Sequence, residues 1–423
     1  MLTRLRTACL GALAAGAALV CLGTADSDAK LDRALRDWAH HPSAGSVRTL
    51  IRTSPGASAK VQARLAQLKD ATVVGSVGTD LIVAELSSKA LTTAASDRNV
   101  ARLSSDAIVK SLGSSALTND VLLNTEALLP RSYTGAGVGV AVIDSGILPN
   151  ANMKVAATYD FVVKNGSKVG ALDPYGHGTH VSGLIASNGT TSNDLYESIA
   201  PGVKLYALRA LDKNGVGYTS DVIEAINFAV TNKSKLGIDI INLSLGHPIY
   251  EPAGSDPLVQ AVENAVASGI VVVASAGNFG GDPSTHASAY GGITSPGNAP
   301  DAITVGAVET NYTVPRDDDA VAWYSSRGPT WYDAFQKPDI VAPGSHLVSD
   351  VPTSSTLARN YPAGLMKTSG TTNLMKLSGT SMVSCSQTAP RLRPRTSPFR
   401  SRRSTTRAPK RSSRILFWSA IAR

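Results

Sequence analysis

Cysteine is almost absent: three in 423 residues, with Cys9 and Cys21 inside the first 25 and Cys385 towards the other end. The long body between them has none, so its export does not depend on a disulfide framework. Long apolar runs are lacking too. The stretch from Cys9 to Leu22 is shorter than the ~20 residues a membrane span needs, and no other segment is apolar enough to cross a bilayer. Acidic residues disappear after Met382: residues 383–423 hold ten Arg, one Lys and no Asp or Glu. Without those eleven, 29 basic residues face 32 acidic ones, so the body is near −3 although the whole chain is +8. A basic balance confined to one end implies no nucleic-acid-binding fold for the rest.

What is present is an ordinary globular composition, 43% hydrophobic and 17% charged. Such a length and composition allow about two or three domains of ~150 residues. Arg4 and Arg6, the apolar stretch and Gly23-Thr24-Ala25 mark residues 1–25 as a signal peptide. The alternative is an uncleaved anchor, and Ala18-Leu19-Val20 fits poorly with lipid attachment at Cys21. The protein is therefore expected to be secreted and extracellular, with no transmembrane domain after signal cleavage.

Residues 26–45 are polar and mixed, the composition of a linker. Residues 46–110 read β-α-β-β-α-β, a split-βαβ domain. Val47 to Ile51 alternates as a strand does, and Val61, Leu65 and Leu68 recur at helical spacing. Strands are expected at Ala71 to Val77, Leu81 to Leu86 and Val100 to Leu103, with a helix from Ser88 to Ala95. After a loose junction, strands and helices alternate from Val138 onward. Strands are predicted at 138–143, 205–209, 238–243, 270–274 and 302–308, with helices from His177, at 220–232 and at 257–268. That alternation specifies an α/β, doubly wound parallel sheet with helices on both faces. Ligands of such sheets lie beyond the carboxyl ends of the strands. Asp144, Ser244 and Ser275-Ala276-Gly277-Asn278 all fall just past strands and should line one crevice.

Three polar residues suit nucleophilic catalysis. Ser381, in Gly379-Thr380-Ser381-Met382, fits a tight turn feeding a helix N-terminus, where unpaired N–H groups can face an oxyanion. Asp144 ends an apolar run, and a carboxylate there is costly unless paired, although alone it also suits a turn cap. His177 opens Gly176-His177-Gly178-Thr179-His180. Metal ligation or a plain turn would also fit it, but the two histidines lack the Glu of the common helical zinc site. Asn278 could donate to an oxyanion or simply favour a turn. Nucleophile, base and orienter would then be Ser381, His177 and Asp144.

These residues sit in motifs that resemble the subtilisin-like serine peptidases. The motifs are Val142-Ile143-Asp144-Ser145-Gly146, His177-Gly178-Thr179-His180-Val181-Ser182-Gly183, Asn242-Leu243-Ser244-Leu245-Gly246, Ala274-Ser275-Ala276-Gly277-Asn278 and Gly379-Thr380-Ser381-Met382. Tyr324 to Pro329 and Lys337 to Gly344 add two further family-like stretches. The resemblance implies a catalytic domain over about 118–382 and polypeptide substrates. It implies that Asn278 and the Ser381 N–H bind the oxyanion, with Ser244, Leu245, Gly246, Ser275, Ala276 and Gly277 holding the peptide. It also implies that residues 46–110 are a propeptide acting as intramolecular inhibitor, cleaved between Val109 and Thr118. No cofactor is required; structural calcium is a family trait, with no ligands identifiable here.

The tail departs from the family. No 3.6-residue apolar stripe follows Met382, where a long helix is expected, and residues 383–423 read as an aberrant basic segment, frame-shifted or disordered. Two further readings follow: a catalytically inactive, peptide-binding descendant, and a tail that binds polyanions.

Overall fold

Leu50 and Ile51 are neighbours in one strand, yet they enter different cores. That alternation explains the N-terminal part of the molecule. The structure, a computed structural model, describes residues 27–40, 45–111, 134–163, 165–192, 196–311, 313, 317–367 and 373–388. The expected signal peptide and the basic segment beyond 388 lie outside the described residues. Helix α1 (Arg33–His40) is followed by β1 (Val47–Thr53), α2 (Ser58–Leu65), β2 (Ala71–Val77), β3 (Leu81–Leu86), α3 (Ser88–Ala95) and β4 (Val100–Ser105). The strands form an antiparallel sheet in the order β2-β3-β1-β4. Ile51, Ile82 and Ala84 face a core built with Val61, Leu65 and Leu91. Leu50, Leu81 and Val83 face the other way, into the core of the larger part of the chain.

The expected linker holds α1 instead. Leu31 and Leu35 are buried in the small domain's core, and Asp32 accepts from Leu35 N (2.7 Å) and Ser105 N (2.6 Å). The polar average of that segment concealed two apolar anchors.

The larger part continues with β5 (Ile108–Ser111), β6 (Gly139–Asp144), β7 (Val155–Asp160), β8 (Ser167–Val169), α4 (His177–Ala186), β9 (Lys204–Arg209), β10 (Val216–Tyr218) and α5 (Thr219–Leu236). Then come β11 (Ile240–Leu243), β12 (Leu245–Pro248), α6 (Pro257–Ala267), β13 (Val271–Ser275), β14 (Thr294–Ser295), β15 (Ile303–Glu309), β16 (Ala320–Val321) and β17 (Ile340–Pro343). The chain closes with β18 (Leu347–Val351), α7 (Thr356–Asn360), β19 (Leu365–Lys367), β20 (Asn373–Leu377) and α8 (Thr380–Thr388).

The main sheet runs β16-β15-β13-β11-β6-β9-β7-β8, with β17 also paired to β15. Its strands are parallel except at β16 and β8. Strand β6 is buried throughout: Ala141 and Ile143 face Val222, Ile226 and Val262 of α5 and α6, while Val140 and Val142 face Val181 and Leu184 of α4 and Met382 and Val383 of α8. Covered on both faces, the strand can be apolar at every position, as the sequence suggested. The doubly wound α/β architecture is as expected.

Helix α8 corrects the expected break at Met382. The helix continues to Thr388, with Met382, Val383 and Ser384 buried. It lacks an apolar stripe because one buried position is a serine, whose hydroxyl is satisfied within the core: Ser384 Oγ lies 2.8 Å from Ser244 Oγ and donates to Ser381 O at 2.9 Å.

Candidate active site

Asp144 ends β6 at the carboxyl edge of the main sheet and is fully buried. His177 is the first residue of α4, packed directly against that edge. Gly178 makes the approach feasible: a Cβ there would meet the Gly146 carbonyl at 2.1 Å and the Asp144 Cβ at 3.2 Å. His177 Nδ1 lies 2.9 Å from both Asp144 carboxylate oxygens, and a carboxylate, which only accepts, fixes the ring proton on Nδ1. Nε2 is then an acceptor, the form a general base requires.

Ser381 is the second residue of α8 and is buried. Its Oγ donates to the Ser244 carbonyl at 3.0 Å, and His177 Nε2 has no hydrogen-bond partner. The Asp144–His177 pair is therefore formed, while the step from His177 to Ser381 is not bonded in this state. Catalytic bonds of this kind often close only when substrate binds.

Asn278 stands just past β13, across from Ser381. Its Oδ1 accepts from both Thr380 N and Thr380 Oγ1, each at 3.0 Å, which fixes the orientation of the amide against the first residue of α8. Thr380 Oγ1 also accepts from Gly277 N at 3.2 Å. Thr380 is thus a clamp that sequence reasoning passed over, although it stands beside Ser381. Ser244 holds the helix from below: Asn242 Nδ2 donates to its Oγ at 2.9 Å, and that Oγ lies 3.0 Å from the Ser381 carbonyl.

The six residues expected to hold peptide divide into two groups. Leu245 and Gly246 form a strand edge, and the chain's own β5 occupies it: Leu245 pairs with Ser111 and Gly246 with Lys110, antiparallel. On its other side β5 pairs with β10, Val109 opposite Gly217, and Ser111 N donates to Gly215 O at 3.2 Å. Val109 is fully buried and Ile108 is half exposed. Ser275, Ala276 and Gly277 offer no such edge. Ala276 bonds Val305 and Thr294 through its backbone, and the Gly277 carbonyl accepts from Ser326 N, so these residues form a wall. Their smallness was legible; their internal pairing across the sheet was not.

A second buried carboxylate, absent from the sequence reading, lies behind Asp144. Burial pushes the pKa of Asp173 up, against bonds from Thr179, Gly176 and Ser145. His180 is also fully buried; burial pushes its pKa down to about 3, and its Nε2 donates to Met375 O at 2.9 Å. It is a neutral core residue rather than a metal ligand. Among the described residues, no group of three or more His, Cys, Asp or Glu could hold a metal ion. Nor is any described helix long and apolar enough to cross a membrane.

Several known proteins are similar to this chain in sequence or in fold. The serine protease AprX of Bacillus subtilis (strain 168) is 41% identical over 224 residues, covering 52% of this chain and 49% of AprX. Subtilisin DY of Bacillus licheniformis is 35% identical over 240 residues, covering 56% of this chain and 76% of that protein. The alignment with AprX thus spans about half of that relative's length. The crystal structure of fervidolysin from Fervidobacterium pennivorans, described as a keratinolytic enzyme related to subtilisin, superposes with a TM-score of 0.61. It covers 81% of this chain and 54% of fervidolysin, and at 19% identity it speaks for the fold alone. The model of the subtilase family matches residues 135–385, more than half of the chain and every motif around Asp144, His177, Asn278 and Ser381, so this protein belongs to that family.

Proposed function

We propose that this chain is the precursor of a secreted serine endopeptidase. The observation that carries the reading is the Asp144–His177 pair, with Nδ1 at 2.9 Å from both carboxylate oxygens and Nε2 left as an acceptor, in a chain whose Ser381 is buried at a helix N-terminus. In the proposed cycle Ser381 Oγ leaves the Ser244 carbonyl, gives its proton to His177 Nε2 and attacks the peptide carbonyl carbon. The resulting oxyanion takes hydrogen bonds from the Asn278 amide and the Ser381 backbone N–H. His177 then returns the proton to the leaving amine, and water repeats the sequence on the acyl-enzyme. Asp144 stabilises the imidazolium throughout. Every proton is moved by a side chain, so the cycle requires no cofactor.

Strand β5 supports a self-inhibited precursor. An extended peptide between two strand edges is how such a groove would take a substrate, and here the segment leaving the small domain fills it. Ser111 pairs with Leu245, one residue from Ser244, whose carbonyl holds the Ser381 hydroxyl. Processing should therefore follow Leu112, inside the expected window from Val109 to Thr118. The mature N-terminus would begin at Gly113.

A second reading, a peptide-binding descendant without turnover, is favoured by the missing bond between His177 Nε2 and Ser381. Expression of the full chain and of Ser381→Ala separates the two. An endopeptidase yields a fragment whose N-terminal sequence starts at Gly113, and Ser381→Ala stays full length. A non-catalytic protein leaves both chains intact and shows no hydrolysis of added polypeptide.

A further inference from the structure

Asp173 is buried and sits between the two elements that supply the base and its orienter. Each of its oxygens takes two donors. Oδ1 accepts from Ser145 Oγ (2.8 Å) and Gly176 N (2.7 Å); Oδ2 accepts from Thr179 N (2.8 Å) and Thr179 Oγ1 (2.6 Å). Four donors favour the ionised carboxylate, against the upward push of burial on its pKa.

The donors show what the carboxylate controls. Ser145 follows Asp144, and its N–H donates to Asp144 Oδ1 at 2.7 Å. The same serine's Oγ, while donating to Asp173, accepts from Gly178 N at 3.0 Å. The amides of residues 176, 178 and 179, on either side of His177, are thus held by Asp173 or by the serine it anchors. Helix α4 has no side-chain cap from its own N-cap residue, Gly176, so Asp173 serves as a cap from outside. The end of β6 and the start of α4 meet at this one side chain.

We propose that Asp173 is a positioning residue, which through Ser145 and the first turn of α4 sets Asp144 and His177 in the geometry that keeps the ring proton on Nδ1. This rests on the proposed reading of Ser381, His177 and Asp144. It goes beyond that reading by assigning the arrangement to a carboxylate that touches neither substrate nor nucleophile.

The test uses the full chain with two substitutions. Asp173→Asn replaces one accepting oxygen by an NH2 that opposes a pair of donors. Ser145→Ala removes the hydroxyl that joins Asp173 to residue 145 and to Gly178 N, and leaves the Gly176 and Thr179 bonds and the N–H bond of residue 145 to Asp144. For cleavage of a peptide substrate, kcat should fall about tenfold or more in Asp173→Asn and less in Ser145→Ala, with KM within about twofold in both. The second reading is the downfield proton resonance on His177 Nδ1, recorded in a Ser381→Ala background. It should move upfield or vanish through exchange in both variants. If both proteins fold with unchanged kcat and an unchanged resonance, whatever their melting temperatures, the proposal is overturned and Asp173 only caps a helix. Should Asp173→Asn fail to fold, Ser145→Ala decides by the same two readings. The resonance needs no turnover, so absent hydrolysis in the parent chain would count against the peptidase reading alone.

Discussion

At the scale of single residues, the site depends on which atom of each polar group is occupied. Asn278 shows this best. Its carbonyl oxygen is consumed by Thr380, so its amide nitrogen is the part that the proposed cycle uses. Asn278→Ala should lower kcat by roughly 10²–10³ with little change in KM, the loss known for removing one oxyanion donor from subtilisin itself. Thr380→Val keeps the backbone N–H bond to Asn278 Oδ1 but removes the hydroxyl that holds the same oxygen and Gly277 N. Loss of that clamp should cost about 1 kcal/mol, or roughly fivefold in kcat, read in the same steady-state assay. The residues proposed to carry the chemistry stood out in the sequence because Asp144, His177, Asn278 and Ser381 each lie in a short motif at a strand or helix end. Thr380 and Asp173 were not singled out because their importance lies in bonds to residues about a hundred or thirty positions away, which no local pattern encodes.

The elements tell a similar story of near and far. Strands buried on both faces and helices with a cap or a stop were readable. For α6, Asp256 accepts from Leu258 N and Val259 N ahead of Pro257, and α5 ends at Gly237 with φ of 72°. Helices α1 and α8 were misread, since two leucines anchor the first and small buried residues carry the second. Close packing around α8 gives a stability prediction. A Cβ on Gly344 would meet Val383 Cγ2 at 2.3 Å and Ala307 Cβ at 2.6 Å, so Gly344→Ala overpacks the seam between α8 and the sheet. The expected cost is about 1–3 kcal/mol in urea unfolding. Helix α4 adds a pH effect through His180, whose folded pKa is depressed to about 3 from 6.5 by burial. Its neutral form stabilises the fold fully above pH 6.5, and that contribution is lost as pH falls towards 3. His180→Gln, which can still donate to Met375 O but takes up no proton, should show a shallower fall in melting temperature across that window.

On the scale of the whole molecule, the small domain and the main sheet meet through charge as well as through β5. Arg48 Nε reaches Asp106 Oδ2 at 2.6 Å, and Asp106 receives Ser220 N at 2.8 Å and Ser220 Oγ at 2.9 Å, capping α5 from across the interface. Arg102 Nε reaches Glu251 Oε2 at 2.6 Å, and Arg33 N donates to Tyr250 O at 3.1 Å. Asp221, in the first turn of α5, has its pKa pushed up to about 7 by burial and then by Asp106, against the pull of Arg48. A carboxylate raised from 3.8 contributes stability that is present below about pH 4 and lost as pH rises through about 7. Asp221→Asn should therefore melt higher than the parent, with a gap that opens between about pH 4 and 7 and stays level above. None of these pairings is visible in the sequence: Arg48 and Asp106 lie 58 positions apart, and the others join segments that a reading along the chain treats as separate domains.

The most direct test of the account is covalent labelling of the purified full chain by a fluorophosphonate probe, with the adduct located by peptide mass spectrometry. The account predicts one adduct, on Ser381, lost in Ser381→Ala and strongly reduced in His177→Ala. Correctly folded protein that takes no label, or takes it on another serine, would contradict the assignment of Ser381 as a nucleophile activated by His177.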